Sequence, residues 1–350
     1  MELIELLRKA VELNGSDIFL IPGAGVTVKV NASMVNISET RLMPSDTEEL
    51  VKNMYALAQR DYTHLREDGD DDFSFAIADV SRFRVNAYLQ RGTVAAICRV
   101  VNFALPDPES MHIPPIVLGL AQQRSGMILV TGPAGSGKST TLACLIDQIN
   151  ETRHAHIVTI EDPIEYLHRH KKSLVSQREV PNDAATFSRA LRAALREAPD
   201  VILLGEMRDL ETIRTAITAA ETGHLLLSTL HTIGAAKTVD RIIDTFDADQ
   251  QTQIRVQLSM VLKAVVSQRL IPTLDGKRIA VFEVMTVNPA IQNMIRDGRT
   301  HQIDNVIFGG SDKNMLSMDA ELMRLYKEKL ISRETALIYA TNPETLSKRI

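Results

Sequence analysis

The sequence has no tryptophan and only two cysteines, and its aromatic residues amount to 4% of 350 positions. Large aromatic recognition platforms are therefore not expected. Cys98 and Cys144 cannot build a disulfide framework or a four-cysteine zinc site within one chain. Each lies beside apolar residues and reads as a core thiol. No apolar run approaches the ~18 residues that a membrane span needs. The opening stretch MELIELLRKAVELNG carries acids and lacks a long apolar core, so it reads as an amphipathic helix and not as a signal peptide. The expected location is the cytoplasm. A basic excess is missing as well: 39 Lys and Arg stand against 44 Asp and Glu, for a formal charge of -5. Wholesale nucleic-acid binding is thereby disfavoured. What remains, 45% hydrophobic and 24% charged, is the composition of a folded globular protein. Its length points to two or three domains.

Residues 2–13 have apolar positions at helical spacing, SDIFLI and VTVKV read as strands, and 46–65 returns to a helical period. The acid run EDGDDD, residues 67–72, is expected to be a solvated loop, since adjacent acids alone do not make a metal site. FSFAI and FRVNAYLQRGTVAAICRVV read as sheet strands with turns near Asp79 and Gly92. Residues 1–104 thus form an expected small α+β domain. The proline-rich ALPDPESMHIPP marks a linker over 105–117. From residue 118 strands and helices alternate: GMILVTG, HIVTIED, DVILLGE and HLLLSTLHT are strand candidates, with helices over 184–197 and 210–221 between them. Such alternation predicts an α/β domain with a mostly parallel sheet. Residues 248–268 and 288–340 read as largely helical.

GPAGSGKST, residues 132–140, satisfies G-x-x-x-x-G-K-[ST] between an apolar strand and a helix. Gly132, Gly135 and Gly137 let the backbone curl around phosphate oxygens, and the backbone N–H groups and the helix N-terminus favour anions. Pro133, Ala134, Ser136 and Thr140 complete the bed. Lys138 is expected to reach the β and γ phosphates, and the Ser139 hydroxyl to ligate Mg²⁺. Two strands end in acids. VILLGE delivers Glu206, a second candidate for holding Mg²⁺, and TIED delivers Glu161, the choice for orienting an attacking water. A strand ending in an acid also serves as a plain structural cap. Parallel strands bring such residues to one sheet edge, where ligands usually sit. His224 and His231 bracket the strand LLLSTL. Seven residues of extended chain span roughly 23 Å, too far for both rings to share a metal. Each is either a cap or core histidine or, for His231 above all, a sensor of the γ-phosphate.

The sequence resembles the type IV pilus retraction ATPases, the PilT-like twitching-motility motors of the secretion ATPase superfamily. Four blocks carry the likeness: GPAGSGKST, TIEDPIEY, ILLGEMRDLETIRTAITAAETGH and LLSTLHT. SDIFL, FSFAIADVSRFRVNAY and PAIQNMIRDGRTHQIDNVI extend it over nearly the whole chain. The resemblance implies a PAS-like N-terminal domain joined to a RecA-like ATPase domain that runs from 118 to 350, assembled as a homo-hexamer that hydrolyses ATP with Mg²⁺. It implies a ring under the inner-membrane platform protein of the pilus machine, acting indirectly on the pilin subunits at the filament base. By similarity Glu161 is the catalytic acid, Glu206 the acid of the second nucleotide motif, and His224 and His231 the box histidines. Arg82, Arg84 and Arg99 match the region from which N-domain arginines reach the nucleotide. Arg82 and Arg84 share a strand face by period-two spacing, and a guanidinium stabilises the charge on a transferring phosphoryl group; surface strand charges are the plainer reading.

The chain departs from the family's usual pattern at Ala134 (commonly Thr), at Phe19 (commonly His), and at Gln292 and Asp297 in AIQNMIRD. These departures leave open a divergent or accessory retraction paralogue. The four-cysteine insertion typical of extension and secretion motors cannot be present, which favours the retraction branch over them. A nucleotide-binding ring protein without turnover and a helicase are the readings from other classes; two retained acids oppose the first and net acidity the second.

Overall fold

The computed structural model describes residues 2–30, 33–38, 40–101, 105–309 and 314–350. The chain divides into two compact units, Met1–Ala104 with Glu165–Leu167, and Leu105–Ile164 with His168–Ile350. The expected end of the first domain, at residue 104, lies outside the described residues.

In the first unit come α1 (Leu3–Glu12), β1 (Asp17–Leu20), β2 (Thr27–Val30), β3 (Ser33–Asn36), α2 (Pro44–Leu57), α3 (Thr63–Asp68), β4 (Asp70–Ile77), β5 (Ser81–Gln90) and β6 (Thr93–Val101). The strands form one antiparallel sheet in the order β3-β2-β1-β6-β5-β4. Alternation decides which face is which. Phe83, Val85 and Ala87 of β5 join Ile18, Cys98 and Phe73 in a core completed by Leu6 of α1 and Met54 of α2. The opposite parity carries Arg82, Arg84 and Asn86.

Two expectations fail here. The helical period over 46–65 is broken into α2 and α3, because the chain turns through Gln59 at a positive φ of 51°. The acid run is not a solvated loop. Gly69, at φ 85°, ends α3, and Asp70–Asp72 open β4. Strand parity then turns Asp71 inward, where it accepts from Arg60 Nε at 2.8 Å, Arg60 Nη2 at 2.7 Å and the Tyr55 hydroxyl at 2.9 Å.

The second unit begins with α4 (Pro115–Gly119), then runs β7 (Gly126–Thr131), α5 (Lys138–Thr152), β8 (His156–Glu161), β9 (Leu174–Glu179), α6 (Phe187–Ala194), β10 (Val201–Leu204), α7 (Leu210–Glu221), β11 (Leu225–Leu230), α8 (Ala235–Ile243) and α9 (Ala248–Val261). It continues through β12 (Leu262–Pro272), β13 (Arg278–Thr286), α10 (Pro289–Arg296), α11 (Ile303–Phe308), α12 (Met318–Lys327), α13 (Arg333–Tyr339) and α14 (Pro343–Ser347). Seven strands lie in the order β13-β12-β7-β11-β10-β8-β9, all parallel except β13. Every residue of β7, β10 and β11 is buried. Leu129, Ile160, Ile202 and Leu226 pack on one face with α6 to α10; Ile128, Val130, Ile157 and Leu203 pack on the other with α4 and α5. Burial on both faces, worth about 1.5–3 kcal/mol for each large aliphatic side chain, is why these strands read as unbroken apolar runs.

The helix expected over 248–268 is corrected by the structure: α9 stops at Val261 and β12 starts at once. Val265 and Val266 are adjacent, β-branched and fully buried. A strand between β7 and β13 buries both on opposite faces, which suits β-branched residues better than a surface helix does.

Candidate nucleotide site

The buried strand β7 runs into the loop 132–137 and α5 carries the chain away. Gly132 has φ 145°, and a Cβ there would lie 2.1 Å from the Gln268 carbonyl oxygen. Gly137 has φ 90°, and its Cβ would meet the Gln268 side-chain amide at 2.9 Å. The tight curl therefore requires glycine at both positions. Gln268 also accepts a hydrogen bond from the Thr141 hydroxyl at 2.7 Å, so one residue of β12 braces both the loop and the first turn of α5. The Lys138 side chain is nearly buried, and its ammonium donates to the carbonyls of Gly132 at 2.9 Å and Pro133 at 3.0 Å. Ser136 is buried, Pro133, Ala134 and Gly135 are exposed, and Ser139 and Thr140 are half-buried at the start of α5. A curled backbone, a lysine and an unencumbered helix N-terminus suit a phosphate chain.

Strand register places the acids. Leu230 of β11 lies level with Thr131, Leu204 of β10 with Ser228, and Ile160 of β8 with Leu204. Glu161 and Glu206 therefore leave the sheet at the edge from which the phosphate loop springs. Glu161 Oε1 accepts from the Thr159 hydroxyl at 2.6 Å and from the Gln177 amide at 3.3 Å, and Gln177 in turn accepts from His168 N at 2.8 Å. Burial depresses the His168 imidazole to about 4, so that ring is neutral near pH 7. Glu206 Oε2 lies 2.8 Å from Arg208 Nε and 3.6 Å from His231 Nε2. Its turn is held by Thr229, whose hydroxyl donates to Gly205 O at 2.6 Å and whose carbonyl accepts from Met207 N at 3.3 Å. Glu206, Arg208, Thr229, His231 and Arg241 line a cleft of about 470 Å³.

His231 thus joins the edge group. His224 does not: it precedes β11 at the other edge, level with the entry to β7, and its carbonyl accepts from Gly126 N. Its Nδ1 lies 2.9 Å from Ala219 O and 3.2 Å from the Thr222 hydroxyl, closing the C-terminus of α7. The arginines lie in the first unit: Arg99 and Arg84 share one cross-strand row, in which Asp17, Arg99, Arg84 and Ser74 are successive partners, and Arg82 lies one row away, between Val101 and Ala76. Arg99 pairs with Asp17 at 2.9 Å and Arg82 donates to Ser74 at 2.6 Å. Among the described residues no carboxylate pairs with Arg84. Sequence reasoning missed Gln268, Thr229, Gln177 and Thr159. Thr159 and Thr229 carry a readable signal, a hydroxyl near the end of an apolar strand; Gln268 was hidden inside the supposed helix.

A glycine-rich loop between a buried strand and a helix, with two acids on the same sheet edge, defines a P-loop nucleotide-binding protein. The family profile described as Type II/IV secretion system protein matches residues 2–297, and the chain belongs to that family, in its PilT-like branch of secretion ATPases. It is 44% identical to a twitching motility protein of Neisseria gonorrhoeae over 99% of this chain and 92% of that one. It is 43% identical to the type IV pilus retraction ATPase PilT of Pseudomonas aeruginosa over 98% and 99% of the two chains. The crystal structure of the pilus retraction motor PilT with bound ADP superposes with a TM-score of 0.89, at 44% identity, covering 99% of each chain. The fold is that of a RecA-like P-loop ATPase preceded by a small α+β unit.

Proposed function

We propose that the protein is an Mg²⁺-dependent ATPase that works as a homo-hexameric ring and drives type IV pilus retraction and twitching motility. One observation carries this reading: β7, β8 and β10, the strands that lead into residues 132–140, Glu161 and Glu206, end at the same edge of one sheet. Likeness to a pilus retraction motor along 99% of the chain supports the biological assignment. The first unit is read as PAS-like. The ring would sit in the cytoplasm at the inner face of the inner membrane, against the platform protein of the pilus machine, and would reach the pilin at the filament base only indirectly.

The residues divide the chemistry. The loop N–H groups and Lys138 bind and neutralise the phosphates. Ser139 and Glu206 offer the hard oxygen ligands that Mg²⁺ prefers, and the metal would supply further charge neutralisation. Glu161, its carboxylate oriented by Thr159 and Gln177, holds the attacking water in line with the γ-phosphate and accepts its proton; the water oxygen bonds to the γ-phosphorus as the bond from that phosphorus to the β–γ bridging oxygen breaks, giving ADP and inorganic phosphate. His231 beside Glu206 senses that event, and His224 serves as a structural cap in its own chain. Arg82, Arg84 and Arg99 supply positive charge to the phosphoryl group in cis or in trans, Arg84 foremost because among the described residues no carboxylate pairs with it.

Purified Glu161→Gln should bind ATP normally and hydrolyse it about 10²–10³-fold more slowly. Hydrolysis at the parental rate removes Glu161 from its role. Deleting the gene separates the branches of the family: loss of retraction leaves piliated cells that do not twitch, whereas loss of an assembly motor leaves bald ones.

A further inference from the structure

Two polar side chains buried in the core take no part in the site so far described. Ser267 of β12 and Glu283 of β13 are 1% and 5% exposed, and they are direct cross-strand partners. Ser267 also lies level with Thr131, the residue that leads into the phosphate loop. Both reach the same turn. Ser267 Oγ accepts from Gly234 N at 2.9 Å, and Glu283 Oε1 accepts from Ala235 N at 3.1 Å. Gly234 and Ala235 open α8, three and four residues after His231.

The turn depends on this outside help. The N-cap of α8 is Gly234 at φ 92° with no side-chain cap, and its first turn holds no acid. Glu283 supplies, from a different element, the negative charge that a helix N-terminus favours. Thr238 closes the turn from within, donating to Gly234 O at 2.8 Å and meeting the Thr232 hydroxyl at 2.7 Å. A buried carboxylate is an expensive way to cap a helix, since an amide or apolar side chain avoids most of the desolvation penalty. Its surroundings are also mixed in sign. Burial raises the Glu283 carboxyl to about 7, with Asp304 of α11 and Asp319 of α12 adding to the rise, against the Ala235 N–H and Arg269 of β12. Lys237 and Asp240 of α8 face Asp304 in turn. A group kept at such cost is better explained by placement than by stability.

We propose that Glu283 is a positioning residue of the nucleotide site: with Ser267 it clamps the Gly234–Ala235 turn and so sets where His231 stands against Glu206. The functional half of this statement rests on the ATPase reading above; the clamp itself does not. The clamp is strongest when the carboxyl is ionised, so it tightens as pH rises through about 7. Stability runs the other way. The folded-state value lies above the ordinary 4.5, so stability is greatest at low pH and is lost as pH climbs from about 4.5 to about 7.

The full-length wild type, Glu283→Gln and Ser267→Ala are compared by amide hydrogen exchange of the 232–238 segment from about pH 5.5 to 8.5, corrected for intrinsic exchange, and by ATP turnover over the same range. In the wild type, protection of this segment should rise about tenfold across the range. Glu283→Gln should flatten that rise, leave protection elsewhere unchanged, melt no lower than the wild type at alkaline pH, and lower kcat more than it alters KM. Ser267→Ala should weaken protection at every pH while keeping the rise. A Glu283→Gln profile superimposable on the wild type, or protection lost uniformly along the chain, overturns the proposal. A wild type that turns over no ATP defeats the functional reading alone, and the exchange data still decide the clamp.

Discussion

The two sheets of this protein carry their chemistry in different places. The seven-stranded sheet is covered on both faces, so the interior of its central strands is apolar and polar side chains emerge where those strands end: Glu161, Glu206 and His231, on the edge where the glycine-rich loop starts at Gly132. The six-stranded sheet packs its core on one face only, and its polar groups lie across the other, in the row Asp17, Arg99, Arg84 and Ser74. The residue that matters after an unbroken apolar run is the one that follows it; in an alternating strand it is the whole polar parity.

The strongest way to break this comparison is through the row. Arg84 stands directly opposite Arg99, and like charges facing each other across strands are unfavourable. Arg84→Ala should therefore leave the first unit as stable as before or more so, by up to about 1 kcal/mol. If its guanidinium serves the phosphoryl group, the same substitution should cost about 10³-fold in ATP turnover. Arg99→Ala removes the partner of Asp17 in a pair whose arginine side chain is 63% exposed, so solvent screening limits the loss to about 1 kcal/mol or less. Urea titration and turnover on both variants check the contrast. Equal turnover in Arg84→Ala and the wild type would return the row to plain surface charge.

The edge of the larger sheet is tested at two glycines. At Gly132 a methyl group would be driven 2.1 Å from a backbone oxygen of β12, which a strand between two neighbours cannot move away. At Gly135, φ is 73° but a Cβ meets nothing within 4 Å. Gly132→Ala should lower the affinity for a fluorescent ADP analogue by about 100-fold, equivalent to ~2.7 kcal/mol. Gly135→Ala should cost only the ~1–2 kcal/mol of a left-handed backbone. Similar losses in both variants would mean that backbone strain, and not the brace from Gln268, shapes the loop.

The legible parts of the fold share one property: their signal is local. The phosphate loop lies within nine residues, and α7 covers Leu210–Glu221, the range its sequence predicts. The strand-end acids follow from apolar runs that a two-sided sheet enforces. What was not legible depends on distant partners. Thr141 and Gln268 are 127 positions apart, and the Ser267–Glu283 pair exists only once β12 and β13 form a hairpin. The helical period of α9 runs up to the first residue of β12 without a proline or glycine between them, so nothing local marks the change. His224 shows the converse: its place at the start of β11, opposite His231, was legible in the sequence, and only its grouping with the site residues, implied by the resemblance, was not met.

The smallest expected effect tests the rule of parity within three identical side chains. Asp70, Asp71 and Asp72 begin β4, exposed, half-buried and exposed in turn. The middle one points at α2 and the turn that follows it, where Tyr55 of α2 donates its hydroxyl and Arg60 of the turn grips it through two nitrogens. Burial, then the bond to Asp71, raise the tyrosine hydroxyl well above its ordinary range, so it stays a donor at any physiological pH. Asp71→Ala leaves that hydroxyl and a guanidinium two-thirds withdrawn from solvent without their acceptor. Breaking a fully buried pair costs roughly 3–5 kcal/mol; partial exposure of Arg60 reduces the expected loss to about 2 kcal/mol. Asp70→Ala and Asp72→Ala should each stay within about 0.5 kcal/mol of the parent, as surface substitutions do. Urea midpoints for the three variants read the difference directly. Three equal shifts would mean that the run acts through its summed charge and that the strand's alternation has no part in it.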